Sequence, residues 1–124
     1  YIITLEMSLV PFLEKNSNKN FIFQQDNAVI HNSAATKNRF ASKNISVLEW
    51  PACSPDMNPM ENVWGILSNR VYSENRQYSD VAALKTAILE QWERISEIEI
   101  KNLVESMKNR VFNLIKNKGG RIPY

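Results

Sequence analysis

The sequence predicts an α/β chain: two parallel strands with helices, followed by a helical hairpin at the C-terminal end. Three observations carry this. Phe21-Ile22-Phe23 and Ile45-Ser46-Val47-Leu48-Glu49-Trp50 are short apolar runs on either side of a helix-like stretch at 32–43. Strand–helix–strand order argues for a parallel pair with a right-handed crossover. Beyond residue 79, two helical apolar stripes follow each other across a short joint, which predicts antiparallel packing.

The elements follow in order. Over residues 1–15, Tyr1, Leu5, Leu9, Phe12 and Leu13 recur at helical spacing, and Pro11 predicts a kink or an early stop. Residues 16–20 read as a polar loop. The helix at 32–43 turns Ala35, Phe40 and Ala41 inward. Three prolines between Pro51 and Pro59 exclude regular structure there. The next helix carries Met60, Val63, Trp64, Leu67 and Val71 on one stripe, and 73–78 is a polar connection. Ser79 reads as the cap of a helix whose stripe is Val81, Leu84, Ile88, Trp92 and Ile95. Ser96 with Glu99 makes a capping box for the last helix, with Ile100, Leu103, Met107, Val111, Leu114 and Ile115 inward and Gly119-Gly120 as its stop. No internal repeat or low-complexity segment interrupts this order.

The 124 residues suit one domain or part of a larger one, and 44% hydrophobic with 23% charged residues is the balance of an ordinary globular chain. A net charge of +2 neither demands nor excludes nucleic acid as a partner. Cys53 stands alone, so no intrachain disulfide forms, which suits cytosol or nucleus. Its loop holds no histidine to activate it as a nucleophile. No apolar run approaches the roughly 18 residues that cross a bilayer, so no membrane association is expected. Two strands make a poor sheet. Together with Tyr1 in place of a starting Met, this leads us to expect a chain that begins within a longer protein. Alone it should be marginal or self-associating along the open edge of its first strand.

In open parallel sheets, ligands collect at the carboxyl ends of strands. Asp26 lies just past the first strand, and the Pro-rich loop after the second delivers Glu61, with 34 residues (27–60) between them. Two such carboxylates meeting at one sheet edge would repel unless a divalent cation joined them, and oxygen-only ligation favours Mg²⁺ or Mn²⁺. Glu61 equally completes a capping box with Asn58 ahead of Pro59 at N1. Gly65, one turn on, keeps that face open. Asp26 and Asn27 also suit a turn, as does Asp56, and the single histidine, His31, suits a structural place at a helix start as well as a phosphate contact or proton shuttle.

At this point the residues resemble a family. Phe23-Gln24-Gln25-Asp26-Asn27, His31, Trp50-Pro51, Ser54-Pro55-Asp56, Asn58-Pro59, Glu61 and Trp64 are similar to the catalytic domain of mariner-type DNA transposases of the nematode branch. The resemblance implies a partial ribonuclease-H-like fold over 1–124, the C-terminal part of a DDE catalytic domain. It implies cut-and-paste cleavage and joining of DNA by divalent metal, with Asp26 and Glu61 as two of three metal-holding acids and Asn27, His31, Asn58 and Gly65 as site support. It further implies DNA as partner, a homodimer in the full-length enzyme, and the nucleus as location. The family's first acid has no counterpart: Glu6 and Glu14, the acids before Asp26, sit in the opening helix. The chain alone is therefore expected to be inactive. Two alternatives stand beside this: a non-catalytic transposase-derived module that binds protein or DNA, and a ribonuclease-H-type nuclease. Lys37, Arg39, Lys43, Arg70, Arg76, Lys116, Lys118 and Arg121 are candidates for phosphate neutralisation. Trp50 and Trp64 fit core positions better than base stacking.

Overall fold

A proline inside a helix lacks its N–H and collides with the carbonyl four residues back. In the computed structural model, which describes residues 1–122, the chain accommodates Pro11 by widening the helix ahead of it. Helix α1 (Ile2–Thr4) passes into a π-helical stretch, Leu5–Leu9, and then into α2 (Val10–Lys15). The Val10 amide bonds the Leu5 carbonyl five residues back. The expected early stop is thus absent, and the helical run passes the proline to end at Lys15.

The chain divides into two units, Tyr1–Cys53 and Ser54–Tyr124. In the first, the two expected parallel strands contract to one isolated parallel bridge, Phe23 with Val47. Phe23 donates to the Ser46 carbonyl and accepts from Leu48, both at 2.8 Å. Among the described residues the chain is mostly helical, and the expected parallel pair is present only as this bridge. The reason is physical: a pair of strands without a third neighbour leaves half its ladder groups unpaired and does not hold a long extended register. Helix α3 (Ala34–Ser42) connects the bridge partners, capped by Ser33. Its inward face is Thr36 and Phe40 rather than Ala35 and Ala41, which are exposed. Thr36 is 1% exposed, and its hydroxyl is satisfied by the Ile30 carbonyl at 2.8 Å and Ser33 Oγ at 2.9 Å. Phe40 packs on Phe23, ring centroids 5.8 Å apart.

The second unit starts with a 3₁₀ turn, Pro55–Met57, and continues with α4 (Pro59–Val71), a second 3₁₀ turn at Ser73–Asn75, α5 (Val81–Glu93) and α6 (Glu97–Lys116). Val63, Leu67 and Val71 are buried, as their stripe requires, whereas Trp64 is 50% exposed with its ring against Trp92 at 5.7 Å. The expected hairpin becomes a pair of helices that both pack on α4. Asp80, not Ser79, caps α5, accepting from the Ala83 amide at 2.8 Å. The Ser96–Glu99 capping box forms as expected. Among the described residues, no helix is long and apolar enough to cross a membrane.

One buried cation ties this unit together. Arg110 of α6 donates from Nη1 to the Asp56 carbonyl at 2.9 Å, from Nη2 to Asn62 Oδ1 at 2.8 Å and from Nε to Ser106 Oγ at 3.0 Å. It thereby joins the 3₁₀ turn, the first turn of α4 and α6. Replacing Arg110 with Met keeps the aliphatic stem and strips its partners of a charged donor. Chemical denaturation should show a loss of about 3 kcal/mol, the scale of one or two buried groups left unsatisfied.

A second link involves Arg70 of α4, which donates to Glu99 Oε1 and, at 3.2 Å, to the Arg94 carbonyl. The Ser96 amide, then the Ser96 hydroxyl and Arg70, hold the Glu99 carboxyl below its usual value of 4.5. A depressed acid contributes stability above its unfolded value and loses it as pH falls through the folded one. Glu99→Gln should therefore be less stable than the parent at pH 7. The difference, followed by thermal melts, should begin to shrink below about pH 4.5 and vanish once the parent's Glu99 is protonated.

Candidate functional site

Three residues beyond the bridge, the backbone turns at Asp26. Its Oδ1 accepts the Ala28 amide at 3.0 Å, an Asx turn that reverses the chain ahead of α3. The same oxygen meets His31 Nδ1 at 2.5 Å. An ionised carboxylate only accepts, so Nδ1 carries the proton of that contact. The Ala28 amide first, and then the His31 hydrogen bond and charge, hold the Asp26 carboxyl below the usual aspartate range. Oδ2 makes no hydrogen bond among the described residues, and the side chain is 62% exposed. Asn27 closes the turn onto the neighbouring segment: its Nδ2 donates to the Trp50 carbonyl at 2.6 Å, and its Oδ1 accepts from Asn32 at 3.1 Å.

Glu61 sits in the first turn of α4. Asn58 caps this helix, but through the Met60 amide at 3.1 Å. The expected capping box with Glu61 does not close, because the Asn58 amide that Glu61 would bond already donates to the Pro55 carbonyl at 3.0 Å. The Glu61 carboxylate is exposed and has no hydrogen bond or ion pair among the described residues. Asp26 belongs to the first unit and Glu61 to the second. Of the two upstream acids, Glu6 is ion-paired with Arg39. No group of three His, Cys, Asp or Glu side chains that could hold a metal occurs among the described residues.

The basic candidates separate. Arg39 and Arg70 are committed to Glu6 and Glu99. Lys37, Lys43, Arg76, Lys116, Lys118 and Arg121 are exposed. Lys37 lines an open groove of about 560 Å³ with Gln25, Asn27, Asn32, Glu49 and Trp50. Sequence reasoning missed Arg110, although an arginine among the apolar positions of the last helix was a visible signal. It also missed the contacts that Tyr1 and Gln25 make with His31, because the Tyr1 ring reaches the imidazole from far along the chain and a glutamine beside an acid carries no pattern of its own.

A Cβ built at Gly65 meets nothing within 4 Å, so internal packing does not require glycine there. Gly65→Ala should stabilise the helix by about 0.5–1 kcal/mol in denaturant titrations. If the bare face admits a ligand beside Glu61, the same variant loses activity while gaining stability.

The profile of DDE superfamily endonucleases matches residues 5–85. The chain is 47% identical over 124 residues to the Tc3 transposase of Caenorhabditis elegans, covering 100% of this chain and 38% of that protein. It is 35% identical over 120 residues to the Tcb1 transposase of Caenorhabditis briggsae, covering 93% of this chain and 41% of that protein. The chain thus spans about two fifths of the length of the curated relatives it matches. In structure it is similar to the Mos1 transposase catalytic domain solved with raltegravir and magnesium. That match has a TM-score of 0.82 at 18% identity and covers 98% of this chain and 61% of that one. This likeness establishes a shared fold.

Proposed function

Because the chain belongs to the DDE superfamily endonucleases, we propose that Asp26 and Glu61 are metal-holding acids of a transposase that cuts and joins DNA phosphodiesters. The observation that carries this reading is the state of Asp26: one carboxylate oxygen is fixed by two donors and the other is open to solvent. The exposed, unpartnered Glu61 in the first turn of α4 supports it, as do the transposase relatives.

The donor chemistry fits a hard divalent cation. Both groups offer carboxylate oxygens and no sulfur, which suits Mg²⁺ or Mn²⁺. Such an ion, when bound, lowers the pKa of a water or 3′-hydroxyl nucleophile and offsets charge at the phosphodiester. The chain's own part is to present the ligands. The Ala28 amide and His31 set the plane of the Asp26 carboxylate, and the Asn58 cap with Pro59 fixes the helical turn that carries Glu61. Exposed cations, Lys37 and Lys43 among them, would neutralise DNA phosphates. With DNA as the substrate, we extend the proposal to a nuclear location and to a homodimer of the full-length protein acting on paired transposon ends.

The test uses the full-length protein. Asp26→Asn and Glu61→Gln should each lower cleavage of a transposon-end duplex by about 10²–10³-fold or more, the scale of losing a main charge-stabilising group. Binding of the same duplex, measured by mobility shift, should stay near the parent's because the phosphate-contacting cations remain. Variants that cleave at the parent rate would overturn the reading.

A further inference from the structure

A ligand carboxylate presents its free oxygen reproducibly only if the bound oxygen is itself held. Two donors converge on Asp26 Oδ1, yet Asp26 is 62% exposed, so the rigidity has to come from what holds the donors. The Ala28 amide is backbone within the same turn. The other donor, His31, has a side chain only 20% exposed, and it is held from two directions. Tyr1 lays its ring on the imidazole, centroids 4.2 Å apart at 37°. Gln25 donates from Nε2 to the His31 carbonyl at 3.3 Å and accepts the Tyr1 hydroxyl on Oε1 at 2.5 Å. The contacts close a loop: Tyr1 touches the imidazole directly and, through Gln25, the His31 backbone.

We propose that Tyr1, Gln25 and His31 form a positioning relay that fixes the Asp26 carboxylate for divalent-metal binding, with His31 acting through Asp26 rather than on DNA. This rests on the reading of Asp26 as a metal ligand. The relay explains why Gln25 directly precedes the acid: its short polar arm reaches past Asp26 to the residue that orients it. It also gives Tyr1 a role at the site although 24 residues (2–25) lie between it and Asp26. Groups that orient ligating side chains are generally felt as losses of metal affinity of about 10- to 100-fold.

The experiment measures Mn²⁺ binding to the full-length protein by electron paramagnetic resonance, and cleavage rate against Mn²⁺ concentration. His31→Ala should raise half-saturating Mn²⁺ about 10- to 100-fold, with the rate at saturating Mn²⁺ close to the parent's. His31→Asn, whose amide nitrogen can replace Nδ1 as donor, should recover most of the affinity. Tyr1→Phe keeps the ring and removes the hydroxyl, and should raise half-saturation by a smaller factor. Unchanged Mn²⁺ affinity in His31→Ala overturns the proposal, and so does a fall in saturated rate at unchanged affinity, which would place His31 on the reacting DNA. If His31→Ala fails to fold, Tyr1→Phe decides: a raised half-saturation supports the relay and an unchanged one removes it. Asp26→Asn separates the two levels. If it abolishes Mn²⁺ binding while the relay variants do nothing, only the relay fails; if it leaves binding intact, the metal-ligand reading itself fails.

Discussion

The second unit depends on one guanidinium. The Pro-rich segment builds only one 3₁₀ turn before α4, and no strand or longer helix, because each proline removes a backbone donor and restricts the residue before it. Something outside the loop has to satisfy the Asp56 carbonyl, whose residue is buried. Arg110 does so from 54 positions away, and its fork also takes Asn62, in the first turn of α4. A planar group with five fixed donors suits this task in a way that a lysine ammonium does not. Because Asn62 adjoins Glu61, the contact that closes the loop also fixes the helical turn from which Glu61 projects.

The two acids are prepared in opposite ways. Asp26 is anchored through one oxygen, and the same hydrogen bonds that orient it favour its ionised form. Glu61 is set by the helix that carries it: Asn58 and Pro59 define the helix start, and the carboxylate is left without a partner among the described residues. In the capping box of α6, by contrast, Glu99 spends its carboxylate on Ser96 and Arg70. The two helix starts place Asn or Ser at the cap and Glu at the third position, yet only one consumes the acid. The difference lies in the residues before the cap. At α4 the preceding 3₁₀ turn has already taken the cap residue's amide.

This comparison also marks what could be read from sequence. The Ser96–Glu99 box is local and forms where spacing put it, and Val63, Leu67 and Val71 of α4 are buried. The stripes of the last two helices do not turn fully inward: Val81, Ile88 and Trp92 of α5 and Ile100, Val111 and Ile115 of α6 are exposed. The motifs around Asp26 and Glu61 were specific enough to name the family, which the DDE superfamily profile and the transposase relatives bear out. What failed depended on geometry that neighbours in sequence do not fix. Ser79 and Asp80 are both good caps, and only the backbone decides between them. Thr36 displaced the flanking alanines from the inward face because its hydroxyl found the Ile30 carbonyl. The strands shrank to a bridge because extended pairing requires lateral partners, which apolar runs by themselves do not specify. Arg110 was visible as a charge on an apolar face, but its acceptors lie in another part of the chain.

The same distinction governs charge. Counting basic residues treats each as a surface cation available to phosphate, but an arginine held by a carboxylate presents little net field. Arg39 and Arg70 make such pairs, and Arg110 is buried. Arginine is the side chain best suited to bidentate contacts inside a fold, so it is drawn into them, and the exposed cations are left richer in lysine. Lysine neutralises phosphate as a point charge without reading shape or base. Any affinity these side chains lend to DNA is therefore of the kind that positions a backbone, and recognition of sequence has to rest on other groups.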